Sequence, residues 1–118
     1  MAGGIYLAPQ NYHLMLETDH TFMLDYSELV NFSRPSIDMT FSSAALAYGS
    51  RVTAILLSGA NRDGAEGLCE IVAEGGTAIV QDPASADFDI MPLAAITTCN
   101  GARVMGINEI IQYIKSLM

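Results

Sequence analysis

The run Val52-Thr53-Ala54-Ile55-Leu56-Leu57 stops abruptly at Ser58-Gly59-Ala60-Asn61-Arg62-Asp63-Gly64, and an amphipathic stretch follows from Ala65. An uninterrupted apolar, β-branched run bounded by turn residues is the pattern of a strand buried on both faces. A strand, a turn of small residues and then a helix is the unit of a parallel α/β sheet. Such sheets keep their sites at the carboxyl ends of their strands, which is where Asp63 falls. A carboxylate there can orient a catalytic histidine, bind a metal or cap the helix that it opens. Gly59 and Gly64 beside it leave room for other groups to come close.

The rest of the chain agrees with that class. Ile5 to Ala8 reads as a short strand ended by Pro9. Tyr12 to Glu17 and Thr21 to Asp25 read as a hairpin around Thr18-Asp19-His20. Tyr26 to Ser33 reads as a loop. Pro35 stands where helices begin, Ile37, Phe41, Ala44, Ala45 and Tyr48 recur at helical spacing, and Gly49 ends the run. After the Val52–Leu57 strand, Ala65, Leu68, Cys69 and Val72 form a stripe stopped by Gly75-Gly76. A strand over Thr77–Gln81, a helix over Pro92–Thr98, a strand over Arg103–Gly106 and a final helix from Ile107 complete the order. That final helix carries Ile107, Ile110, Ile111, Ile114 and Leu117 on one side. The expected fold is α/β, doubly wound and mainly parallel, with a hairpin at the front and one domain over residues 1–118.

Composition narrows the functions open to it. The net charge is −8, with 13 acidic against 5 basic residues, a surface that repels phosphate backbones and argues against nucleic acid. The apolar runs are too short to span a bilayer, and Met1-Ala2-Gly3-Gly4 lacks the character of a signal peptide. A cytoplasmic protein is the expectation. Cys69 and Cys99 are too few and too isolated for a disulfide framework or a thiolate metal site, and nothing points to a cofactor.

His13 and His20 are the only candidate bases. His20 sits in a polar turn, while His13 alternates with apolar neighbours and either enters a cleft or lies at a sheet edge. Ser58 precedes Gly59, but no serine lies in a G-x-S-x-G elbow, so the nucleophile turn is only half present. Gly59 to Gly64 has the outline of a phosphate loop but lacks the Lys-Ser/Thr that would complete it.

Several segments together resemble the C-terminal part of the CheB-type protein-glutamate methylesterase domain. They are Ile5-Tyr6-Leu7-Ala8-Pro9 with His13 after it, Asn31-Phe32-Ser33-Arg34-Pro35-Ser36-Ile37-Asp38, Leu57 to Gly67, Gln81-Asp82-Pro83-Ala84-Ser85, and Met91-Pro92. The resemblance implies a chemotaxis hydrolase that removes methyl esters from receptor glutamates by Ser-His-Asp chemistry. It places the histidine-orienting aspartate on Asp63 and an oxyanion-hole amide on Ala60. It also places His13, Arg34, Gly59, Gly64, Met91 and Pro92 along the cleft, with no metal.

This chain departs from that pattern in three places. The family's nucleophile turn, Gly-Ala-Ser followed by Thr-Gly-Gly, and its catalytic histidine lie upstream of the segment that begins here. Ala60 and Asn61 replace a methionine and a glycine. Asp87 and Asp89 add carboxylates where the family is apolar. The chain by itself is therefore expected to be inactive, a piece of the enzyme or a degenerate module that binds a signalling partner. The expected partners are a methylated chemoreceptor and, through an exposed sheet edge, a second copy or a complementary fragment.

Overall fold

The computed structural model describes residues 4–26, 28–29 and 35–117. The hairpin expected from the sequence forms from β1 (His13–Leu16) and β2 (Phe22–Asp25), antiparallel with His13 opposite Asp25 and Leu16 opposite Phe22. Asp19 closes its turn by accepting from the Thr21 amide at 3.1 Å and hydroxyl at 2.6 Å. Those bonds hold the Asp19 carboxyl below the ordinary aspartate range.

Helix α1 (Ile37–Tyr48) follows, and then β3 (Thr53–Leu56), α2 (Ala65–Ala73), β4 (Thr77–Gln81), α3 (Ile90–Thr98), β5 (Arg103–Met105) and α4 (Ile107–Ser116). The second sheet is parallel, in the order β3-β4-β5, with Leu56 beside Val80 and Val80 beside Val104.

The main core joins Ala54, Leu56, Ala78 and Val80 of the sheet to Ala44, Ala45, Leu68, Ile71, Met91 and Ala95 of the helices. Strand residues alternate between faces, so Ile79 points away from Ala78 and Val80, and it too is fully buried. Helix α4 packs on β4 and buries Ile110. Both faces of β4 are therefore covered, as a wound parallel sheet requires.

Helix α1 packs along α2, and α2 along α3. Gly67 permits the first contact: a Cβ there would lie 2.8 Å from Phe41 Cβ and 3.0 Å from the Asp38 backbone. The Thr40 hydroxyl and Leu14 carbonyl, and the Leu16 amide and Ser43 hydroxyl, sew α1 to β1.

Three features differ from the sequence reading. Ile5 to Ala8 forms no strand, and Ile5 and Leu7 are almost fully exposed; among the described residues no strand pairs with this stretch. On α2 the core-facing residues are Ala65, Leu68 and Ile71, while Cys69 and Val72 sit at the margin. On α4 only Ile110 is buried, and Ile107, Ile111, Ile114 and Leu117 remain outside. No helix among the described residues is long and apolar enough to cross a membrane.

Candidate functional site

The loop from Ser58 to Gly64 leaves the carboxyl end of β3, as the sequence pattern requires, and it is held at both ends. At the first end, Gln81 at the end of β4 is buried, and its side-chain oxygen accepts from the Ser58 amide at 2.9 Å. The Gln81 amide group turns toward the Ser85 carbonyl at 3.3 Å. The Phe88–Met91 stretch then runs alongside the loop. Gly59 N–H donates to the Phe88 carbonyl, Met91 N–H donates to the Gly59 carbonyl, and Phe88 N–H donates to the Ser58 hydroxyl oxygen. Ser58 is thus committed to structure. Met91 and Pro92, in the first turn of α3, are buried behind Gly59.

At the far end the chain turns through Gly64, whose φ of +98° is a left-handed conformation that glycine adopts without steric cost. A Cβ at Gly64 would meet Leu56 Cδ1 at 2.8 Å. The Asp63 amide donates to Asn61 Oδ1 at 2.9 Å, a local turn bond that fixes the approach to Asp63.

Asp63 is 2 % exposed. It does not cap α2, the helix that it precedes; its carboxylate closes the N-terminus of α1 instead. The Ser36 hydroxyl donates to Oδ1 at 2.8 Å, the Asp38 amide donates to Oδ1 at 3.2 Å, and the Ile37 amide donates to Oδ2. An ionised carboxylate accepts about four hydrogen bonds, and these three come from one helix start whose dipole favours negative charge. The capping alternative was sound as chemistry, but the helix being capped lies 25 to 27 residues away in sequence.

His13 is fully buried beneath the same helix start. Its Nδ1 accepts from the Ser36 amide at 3.1 Å and its Nε2 donates to the Glu28 carbonyl at 2.8 Å, which fixes the Nε2–H tautomer. Ser36, His13 and Asp63 are therefore neighbours, yet they form no proton relay. The Ser36 hydroxyl is bonded to the aspartate rather than to the imidazole, and Ser36 is 1 % exposed. Arg34 lies outside the described residues, as do Asn31, Phe32 and Ser33.

Ala60 stands in contrast. It is exposed, and among the described residues no carbonyl or side chain takes up its N–H. It is a surface amide at the end of a parallel strand, on a loop fixed from both sides. Small cavities lie at the start of α1 and beside the loop. One of about 190 Å³ is lined by Ala8, Pro35, Ser36, Ile37, Thr40 and Phe41. The other, about 260 Å³, is lined by Arg62, Ile90, Leu93, Ala94 and Thr97. A larger one, about 520 Å³, lies against α4 and gathers none of these residues.

No cluster of three metal-ligating side chains occurs among the described residues. Cys69 is not activated as a thiolate. Burial, and then the neighbouring Cys99 thiol, push Cys69 up to about 11, so it stays protonated near neutrality. The sequence reading missed Ser36, Asp38 and Gln81 as parts of this arrangement. Ser36 and Asp38 stood within a quoted motif, but only the long-range pairing of α1 with the β3–α2 loop reveals what they do.

A loop at the carboxyl end of a parallel strand, with a buried carboxylate beside an open amide, lies where wound α/β folds keep their sites. The family model for the CheB methylesterase matches residues 1–114, and the chain belongs to that family. A Leptospira interrogans protein named for protein-glutamate methylesterase and protein-glutamine glutaminase activity is 45% identical over 109 residues, covering 92% of this chain and 56% of that protein. A protein-glutamate methylesterase/protein-glutamine glutaminase of Paramagnetospirillum magneticum is 40% identical over 118 residues, 98% of this chain and 31% of its own length. The crystal structure of the Thermotoga maritima CheB methylesterase catalytic domain superposes with a TM-score of 0.88 at 32% identity, covering 96% of this chain and 61% of that one. The parallel sheet with its helices thus matches the CheB catalytic fold. The chain spans only about half the length of the first of these curated relatives.

Proposed function

We propose that this chain supplies the aspartate and an oxyanion-hole amide to a protein-glutamate methylesterase acting on methylated chemotaxis receptors in the cytoplasm. Asp63 orients the catalytic histidine, and the Ala60 amide stabilises the tetrahedral oxyanion. Gly59, Gly64, Met91 and Pro92 shape the loop's surroundings, and His13 supports the start of α1 from beneath. A serine and a histidine outside these 118 residues attack the ester carbonyl and move the proton. Methanol leaves, and water then releases the glutamate. The observation that carries this reading is the pairing of a buried, helix-bound Asp63 with an exposed, uncommitted Ala60 amide on one loop. No metal or cofactor enters.

Purified chain mixed with methylated receptor is expected to release no methanol. The same chain expressed together with the coding sequence upstream of Met1 is expected to release it. A stop codon and ribosome-binding site directly before Met1 would count against this reading.

A second reading, a non-catalytic module, draws on the exposed segment Asp87-Phe88-Asp89 and on the outer edge of β3, which pairs with no strand among the described residues. A stable dimer by light scattering, lost when a proline is placed on β3, would favour it.

A further inference from the structure

We propose that Asp38 is a positioning residue for Asp63, and that α1 and α2 hold each other by exchanging aspartate caps. Asp38 lies in the first turn of α1, yet its Oδ1 accepts from Gly64 N–H at 3.1 Å and Gly67 N–H at 2.7 Å, the opening amides of α2. Asp63, which immediately precedes α2, accepts from Ser36 and from the opening amides of α1. Each carboxylate closes the helix that the other one opens. Neither Ser36 nor Gly64, the two N-cap residues, caps its own helix with a side chain.

The arrangement follows from unmet need at two helix ends. The first amides of any helix have no partner within it, and burial makes that costly. Gly67, lacking a Cβ, lets the two helix starts approach closely enough for the exchange. Both carboxylates sit at helix N-termini, the ends whose dipole favours an acceptor. Moving one partner moves the other: if the start of α2 drifts, Asp63 drifts with it and loosens its hold on Ser36 and Ile37. The functional meaning rests on Asp63 as the histidine-orienting carboxylate, whereas the mechanical coupling does not.

The coupling is testable on this chain by amide exchange and chemical shifts in ¹³C,¹⁵N-labelled protein, with no esterase assay. Asp38→Ala removes the acceptor for Gly64 and Gly67. If the caps act as one unit, exchange at Ile37, which donates to Asp63 and not to the Asp38 side chain, should also quicken by roughly tenfold or more. Asp38→Asn keeps one carbonyl oxygen, and Oδ1 alone serves both amides, so exchange at Ile37 should stay within roughly threefold of wild type. Should Asp38→Ala fail to fold, the shifts in Asp38→Asn decide. The Asp63 side-chain ¹³Cγ shift displaced together with the Gly64 and Gly67 amides supports the exchange of caps; Gly64 and Gly67 displaced with Asp63 Cγ unmoved overturn it. In a folded Asp38→Ala protein, disturbance confined to Gly64 and Gly67 would likewise reduce Asp38 to a local cap. An inactive esterase with this coupling intact would sink the functional reading alone.

Discussion

Asp63 and Ala60 stand three positions apart on one loop and live under opposite conditions. The aspartate is almost sealed from solvent, with at least three donors on its carboxylate, while the alanine is exposed and its amide finds no partner among the described residues. The contrast teaches what each kind of group requires. A buried charge survives only where donors converge on it, so its surroundings must be built before any chemistry. In the role of oxyanion donor proposed for it, the Ala60 amide has to be left unspent and fixed in place. Gln81 and the Phe88–Met91 stretch supply the fixing without touching the Ala60 amide.

The comparison predicts a steep gradient of tolerance along and around the loop. Asp63→Ala should be the most damaging, at about 3–5 kcal/mol in urea denaturation, because it strands buried donors at the start of α1. Gly67→Ala should follow at about 2–3 kcal/mol, since its Cβ would press on Phe41 and the Asp38 backbone and part α1 from α2. Gln81→Leu should cost about 1–2 kcal/mol and raise amide exchange at Ser58, whose buried acceptor it removes. Ala60→Ser should stay within about 0.5 kcal/mol, as expected of an exposed site that nothing leans on. A loss at Ala60 matching that at Asp63 would erase the contrast.

Where local pattern decides structure, the sequence was a good guide. β4 forms over the expected Thr77–Gln81, and the hairpin, α1 and the β3–α2 turn lie within a few residues of expectation. Asp63 stood out because it falls at the carboxyl end of a buried strand, where parallel sheets keep their sites. Its partners were not legible, since the donors to its carboxylate belong to a helix start far away in sequence. His13 could not be placed either. Alternation put it on a strand, but only the fold brings the start of α1 to its Nδ1 and the Glu28 carbonyl to its Nε2. Ile5 to Ala8 had the right composition for a strand; strands need neighbours, and composition carries no information about those.

The most direct test of Asp63 as the histidine-orienting carboxylate is kcat for methyl ester hydrolysis in a protein that joins this chain to a segment supplying the serine and histidine. Asp63→Asn, shown to be folded by circular dichroism, should lower kcat by roughly 10³–10⁴-fold, as expected when a triad loses the group that fixes its histidine. A folded Asp63→Asn enzyme within about tenfold of wild type would contradict the account, and would leave Asp63 as a helix cap alone.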